Sequence, residues 1–414
     1  MKRRVVVTGL GCVTPVGNDV GSSWQALLDG KSGGALITHF DASGLKVKFA
    51  CEVKAFDPAL YMDRKEVKRS DRYTHYAMAA AVQAMADAGL AEGKGFVPDR
   101  CGVIIGSGIG GINTFEAQHH VLETEGAGRI SPFFIPMFIS DIAAGVVSMR
   151  FGAKGPNFCT VSACASSGHA IGLAFRGIQY GDADVMIAGG AEAAVTPMSI
   201  SGFANMQALS TRNDDPARAS RPFDVTRDGF VMGEGGGVVI LEEFEHAKAR
   251  GARIYGEVAG FGMTGDAYHL TGQPENHEGL QRAMRRALDD GGVSPAEVHY
   301  VNAHGTSTPM NDPNEIRAIR AVLGAHASGA NVSSTKSATG HMLGAAGAVE
   351  TIFTTLAIHH GIVPPTINLQ SPDPECDLDC TANKPVKRQI NAALNNSSGF
   401  GGHNTSIALV KLRS

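Results

Sequence analysis

Val161-Ser162-Ala163-Cys164-Ala165-Ser166-Ser167-Gly168-His169 carries the chain from the strand-like segment 157–161 into a helical pattern over 168–180 that stops at Gly181. Strand, a run of small residues, then helix is the repeating unit of an α/β fold. The turn presents a thiol near a helix N-terminus, where free N–H groups and the helix dipole favour thiolate over thiol. The small neighbours Ala163, Ala165, Ser166 and Gly168 leave room for a bulky acyl group at Cys164.

The alternation continues on both sides. Short apolar runs at 4–9, 101–106, 185–190, 237–241, 298–302 and 407–412 end in glycine or small residues and read as buried strands. The first is expected to end in a turn at Gly9-Leu10-Gly11. Helical spacing recurs at 73–88, 278–291 and 345–359, with Gly291-Gly292 as a stop signal. The best boundary is Ala249-Arg250-Gly251-Ala252, dividing the chain into halves 1–251 and 252–414. The cysteine motif lies in the first. The second holds His304-Gly305-Thr306-Ser307-Thr308 and Lys336-Ser337-Ala338-Thr339-Gly340-His341. A site built from both belongs at the interface of the halves.

Composition excludes several classes. Of 414 residues 43% are apolar and 18% charged, as in folded globular chains, and the net charge of -4 does not suggest nucleic-acid binding. Met1-Lys2-Arg3-Arg4 resembles the start of a signal peptide, but the apolar run after it is short and broken by glycine. No run approaches the ~20 apolar residues of a membrane span. Seven irregularly spaced cysteines make no disulfide framework and fit a reducing, cytoplasmic setting, and Cys376 and Cys380 lack the partners of a zinc site. Gly106-Ser107-Gly108-Ile109-Gly110-Gly111 and Gly233-Glu234-Gly235-Gly236-Gly237 miss the spacing of nucleotide loops and read as close backbone packing. Gly399-Phe400-Gly401-Gly402 is either a moving aromatic gate or a phenylalanine packed in a turn.

A thiol can hold an acyl group as a thioester. Two neutral imidazoles, His304 and His341, can stabilise an enolate oxygen on a second thioester, and Lys336 can set their electrostatics. N–H groups near Cys164 and Phe400 can form an oxyanion hole.

These motifs, with Arg221-Pro222-Phe223-Asp224 and Asp228-Gly229-Phe230 between them, resemble in content and order the β-ketoacyl-acyl-carrier-protein synthases of the elongating class, type II above all. The resemblance runs over essentially the whole chain. It implies a thiolase-like fold, two similar halves in a five-layer α-β-α-β-α stack, and a homodimer. It implies a decarboxylative Claisen condensation: Cys164 takes an acyl group from acyl carrier protein, and the malonyl-carrier carbanion then attacks it. By the same resemblance His304 and His341 hold the malonyl thioester, with either open to act as base. Lys336 is the electrostatic lysine and Phe400 the gate. Thr306, Thr308 and Thr271 bind substrate, and Ile109 and Phe203 line the acyl pocket. Lys65, Lys68 and Arg69 dock the carrier, a basic patch suited to an acidic partner. Glu350 with Asn396 and Ser397 resembles a structural cation site of some relatives. The phosphopantetheine belongs to the carrier protein, so no resident cofactor is implied. Where relatives commonly read Asn-Ser-Phe-Gly-Phe-Gly-Gly-Thr-Asn, this chain has Ser398 for the aromatic and His403 for the small residue, on either side of the gate.

The serious rival is a polyketide or specialised-lipid ketosynthase, which shares Cys164, His304 and His341. A thiolase would need a second cysteine in a Cys-x-Gly setting, which Cys376 and Cys380 lack. A non-catalytic heterodimer partner usually lacks the nucleophile. A cysteine hydrolase would use one histidine oriented by Asn or Asp.

Overall fold

The first strand, β1 (Val5–Val13), continues through its glycines, with one register shift between Val7 and Gly9, and is buried along its whole length. The expected turn is absent because helix α1 (Arg72–Asp87) lies against the strand. A Cβ at Gly9 would stand 2.2 Å from the Ala84 carbonyl oxygen, and one at Gly11 2.0 Å from that of Ala80. Glycine here permits contact between backbones, not a change of direction. The structure, a computed structural model, describes residues 2–413.

Nine further strands share one sheet with β1: β2 (Cys101–Gly106), β3 (Asn157–Phe158), β4 (Val185–Glu192), β5 (Gly235–Glu243), β6 (Gly256–Gly265), β7 (Val298–Asn302), β8 (Asn331–Ser333), β9 (Ala392–Gly399) and β10 (His403–Val410). Their order is β3-β2-β4-β5-β1-β6-β10-β9-β7-β8. From the centre outward each half reads first, fifth, fourth, second, third strand. The senses also repeat: the first pairs antiparallel with the fifth and the fifth with the fourth, and the outer pairs are parallel. Val5–Val7 of β1 pair with 256–258 of β6 and join the halves.

Helices α2 (Ser166–Tyr180) and α5 (Ala346–His360) lie between the halves. Their Phe175 and Phe353 share one core with Val7, Met186 and Val239 of the first half and Tyr300, Ile407 and Leu409 of the second. Helix α1 covers the outer face of the first half, and α3 (Glu278–Gly291) and α4 (Asn311–Leu323) that of the second. The result is the expected five-layer α-β-α-β-α stack.

Both central helices are entered through the same strained turn. Ala163–Ala165 and Leu343–Ala345 each form one 3₁₀ turn whose first residue has positive φ, 50° at Ala163 and 45° at Leu343. Such a conformation costs about 1–3 kcal/mol at a residue with a Cβ. The second position of the turn is Cys164 in one half and Gly344 in the other. No helix among the described residues is long and apolar enough to cross a membrane.

Candidate active site

Cys164 lies at the entrance to α2, 9% exposed. Burial dominates its chemistry and pushes the thiol up to about 12. The positive charge of Lys336 and the N–H groups of Phe400 and Cys164 pull the other way, while Glu192 adds to the rise. The resting group is therefore a thiol, not the thiolate expected from helix position, because desolvation outweighs the helix terminus. The chain leaving β9 packs directly on this turn. A Cβ at Gly399 would stand 2.7 Å from the Ser162 carbonyl oxygen and 3.0 Å from the Cys164 nitrogen. That contact brings the Phe400 N–H to the sulfur.

The two histidines come from the second half. After β7 the N–H groups of His304 and Gly305 both donate to Glu315 of α4, at 2.9 and 2.8 Å. Arg227 holds the far end of the same loop, donating to the carbonyls of Thr308 (2.9 Å) and Pro309 (3.0 Å) and pairing with Asp373 at 2.6 Å. His341 follows the short helix Lys336–Thr339 and is fixed by its backbone: its N–H donates to Val231 O at 2.7 Å and its carbonyl accepts from Gly233 at 2.9 Å. The two imidazoles stand edge to face, ring centres 5.3 Å apart. Both are held well below the usual histidine range, first by burial and then by the charge of Lys336, so both are neutral at physiological pH.

Lys336 does not line the cavity. It is buried behind the histidines, paired with Glu350. Burial raises Glu350 to about 7 against the pull of that lysine.

Cys164, His304 and His341 open onto one cavity of about 660 Å³, with Thr306, Thr308, Thr271, Phe203 and Phe400 also in its wall. Phe400 is half-buried and packs beside Phe203, ring centres 6.2 Å apart. Phe203 meets Phe230 at 5.4 Å, and Phe230 meets His341 at 5.2 Å. An aromatic chain thus leads from the gate to the second histidine.

Ile109 does not line this cavity. It packs on the apolar cluster that includes Cys164, and its N–H donates to Glu192 at 3.2 Å. Its glycine loop encloses that carboxylate, with Gly108 N–H at 2.7 Å and Ser107 Oγ at 3.0 Å, and Gly344 N–H donates from the other half at 3.0 Å. A side chain of the protein itself thus occupies the place a phosphate would take. Lys65, Lys68 and Arg69 are exposed on and just after the helical turn Arg64–Val67, and the Arg69 guanidinium lies 4.4 Å from the Phe133 ring centre. Near the expected cation position, Glu350 is engaged by Lys336. Asn396 donates to Glu315 at 3.3 Å and accepts from Ser406 at 2.8 Å, and Ser397 Oγ lies beside Gly347. Among the described residues no three His, Cys, Asp or Glu side chains are grouped to hold a metal.

Glu315, Arg227, Phe230 and Glu192 escaped sequence reading. Phe230 and Arg227 sit in or beside the Asp228-Gly229-Phe230 motif, which offered a signal without a role. Glu315 and Glu192 offered none, because their partners meet them only in the folded chain.

Family models for the β-ketoacyl synthase N-terminal and C-terminal domains match residues 2–247 and 255–370. The chain is 54% identical to the 3-oxoacyl-[acyl-carrier-protein] synthase 2 of Synechocystis, covering 99% of this chain and 98% of that one. It is 53% identical to that of Coxiella burnetii, covering 99% of both. Among solved structures it superposes with TM-score 0.92 and 38% identity, over 100% of both chains, on the ketosynthase of a type II polyketide system in complex with its acyl-carrier protein. A β-ketoacyl synthase from Burkholderia phymatum gives 0.92 at 36%, again over 100% of both chains. With Cys164, His304 and His341 on one cavity of a duplicated five-layer fold, and with these matches along its length, the chain belongs to the β-ketoacyl synthase family.

Proposed function

We propose that this protein elongates acyl chains on acyl carrier protein by decarboxylative condensation with malonyl-carrier protein, a reaction whose product fits the name of its relatives, 3-oxoacyl-[acyl-carrier-protein] synthase 2. The supporting observation is the convergence of Cys164, His304 and His341 on one cavity, with Lys336 charged and buried behind the imidazoles.

The Cys164 sulfur attacks the acyl thioester and its proton leaves with the departing carrier thiol. The product is an acyl-enzyme thioester plus free carrier. Because the resting thiol is protonated, sulfur attack and proton loss are coupled. The N–H groups of Cys164 and Phe400 stabilise the tetrahedral oxyanion. Malonyl-carrier protein then enters, with Thr306, Thr308 and Thr271 along its pantetheine arm. His304 and His341, neutral, donate N–H to the malonyl thioester oxygen. The carbon–carboxylate bond breaks and CO2 leaves. Its electron pair becomes an enolate that attacks the acyl carbonyl. Collapse expels the Cys164 thiolate, which takes a proton from solvent, and the β-ketoacyl chain departs on its carrier. Phe203 and the aromatic row shape the acyl channel, with Ile109 at its margin. Lys65, Lys68 and Arg69 receive the acidic carrier. In this reading the halves are 1–251 and 252–414, the working unit is a cytoplasmic homodimer, and no resident cofactor takes part.

A polyketide reading draws on the 38%-identical ketosynthase, but the relatives at 53–54% favour fatty-acid elongation. The test is intact-mass spectrometry with acyl-carrier protein alone and then malonyl-carrier protein. The wild-type chain should gain the mass of one acyl group and lose it when the malonyl donor arrives. Cys164→Ala should gain none. A stable wild-type adduct that malonyl-carrier protein does not discharge would overturn the proposal.

A further inference from the structure

One of the two departures flanking the gate, Ser398, is not an isolated substitution. Ser398 leaves room where relatives commonly carry an aromatic, and a buried imidazole stands beside it. His277, fully buried just before α3, places Nε2 3.2 Å from Ser398 Oγ and 3.1 Å from Asn404 Oδ1. Ser398 Oγ also donates to Asn404 Oδ1 at 2.8 Å. Asn404 Nδ2 donates to Asp266 Oδ1 at 2.6 Å, and the Asp266 N–H donates to Gly402 O at 2.9 Å.

These partners settle where the protons are. Asp266 accepts from the Asn404 amide, so the Asn404 oxygen must face the histidine as an acceptor. His277 must then carry its proton on Nε2, shared between Asn404 Oδ1 and Ser398 Oγ. Its Nδ1 is bare, buried and without a partner among the described residues. The backbone is also unusual, since His277 (φ 49°) and Asn276 (φ 57°) are both left-handed. Two consecutive left-handed residues that turn an imidazole inward cost about 1–3 kcal/mol each, so the surrounding contacts must hold the ring in place. Burial lowers the imidazole to about 4, so it stays neutral.

We propose that His277 is a positioning residue for the Phe400 gate. Its Nε2–H pins Ser398 and Asn404, the two roots of Gly399-Phe400-Gly401-Gly402, and so holds the loop closed with the Phe400 N–H on the sulfur. The proposal rests on the gate reading of Phe400. Acyl transfer needs the loop first to yield to the incoming chain and then to close its N–H on the oxyanion, whereas condensation needs it closed throughout, so a looser loop gains in the entry step of acylation part of what it loses in the closed one. Loosening the roots therefore acts on the two half-reactions unequally.

The test measures both half-reactions in His277→Leu, His277→Gln, Ser398→Ala and Phe400→Ala. His277→Leu should slow discharge of acyl-Cys164 by malonyl-carrier protein about ten-fold, the scale of one buried donor lost, while acylation stays within about three-fold of wild type. His277→Gln keeps an N–H at that reach and should restore discharge to within about three-fold. Ser398→Ala removes one of two acceptors and should give a smaller effect of the same sign. An equal fall of both half-reactions in His277→Leu would reduce His277 to a folding role and overturn the proposal, as would unchanged discharge. If Phe400→Ala leaves both half-reactions unaltered, the gate itself fails. If it alters them and His277→Leu does not, only the pin fails. Should His277→Leu not fold, ¹⁵N-histidine spectra of the wild-type chain decide, with the His277 signal assigned by its loss in His277→Gln. The Nε2–H tautomer is required, and the Nδ1–H tautomer refutes the pin.

Discussion

Lys336→Met separates the electrostatics of the site from the stability of the fold. The Lys336 and Glu350 side chains are 1% and 3% exposed and are hydrogen-bonded to each other. Glu350 Oε2 is buried without a partner among the described residues. Methionine keeps most of the apolar stem and removes the charge. A buried carboxylate left without its cation costs about 3–5 kcal/mol. Glu350 can avoid part of that cost by taking up a proton, since burial already holds it at about 7 while the lysine pulls it down. The expected loss is therefore at the lower end, ~3 kcal/mol, read as an earlier urea midpoint at unchanged slope. Lys336→Met with Glu350→Gln removes both charges and should return to within about 1 kcal/mol of wild type. Activity should not return with it. After burial, the charge of Lys336 is the next cause holding His304 and His341 neutral. Without it both imidazoles protonate at higher pH. The acidic limb of CO2 release from malonyl-carrier protein should then move to higher pH in the single and the double variant alike. A single variant as stable as wild type, or a double variant with the wild-type pH profile, would refute this account of Lys336.

Three further outcomes follow from the same contacts. Burial lowers His277 and His169 to about 4, and the unfolded chain takes up their protons first, so stability should be full above about pH 6.5 and fall as pH drops towards 4. For the deeply buried His277 the loss is roughly 3 kcal/mol, and urea midpoints that stay flat across that window would contradict it. Iodoacetamide should alkylate Cys164 about ten-fold faster for each pH unit between roughly 7 and 9, because the thiol is still mostly protonated there; a plateau would show a thiolate already formed. Charge reversal at Lys65, Lys68 and Arg69 should raise KM for the carrier and flatten its salt dependence with kcat little changed. A change in kcat alone would remove the docking role.

Much of the architecture was legible because it depends on local pattern. Helix α3 matches its expected bounds, with Leu280, Met284, Ala287 and Leu288 on one buried face and Gly292 in the left-handed stop. The glycines of β1 misled, since a glycine that admits a neighbouring backbone and one that turns the chain look the same in sequence. Strand β9 went unread for a different reason. Asn395, Asn396, Ser397 and Ser398 are all buried, and hydropathy cannot mark a strand whose polar side chains find partners inside. Asn395, for example, donates to Gly347 O at 2.9 Å and to Thr351 Oγ at 2.8 Å. The same limit applies to the site. Cys164, His304, His341 and Lys336 were found by the motifs around them. Arg227 and Glu192 hold loops distant in sequence, Glu315 reaches a loop on the far side of a turn, and His277 shows its meaning only beside Ser398. The duplication was legible only through the family resemblance and the strand-then-loop placement of the reactive residues, because its clearest trace, the positive-φ turn at Ala163 and Leu343, is a backbone conformation shared by unlike side chains.

Carrier-bound product analysis by mass spectrometry tests the central claim most directly. The protein is mixed with malonyl-carrier protein and acyl-carrier proteins of graded chain length, beside Cys164→Ala. A β-ketoacyl-carrier product two carbons longer than its primer, formed by the wild-type chain and absent with Cys164→Ala, is the predicted result. Extension that survives loss of Cys164, or no extension by a folded wild-type chain whose Cys164 accepts an acyl group, would contradict it.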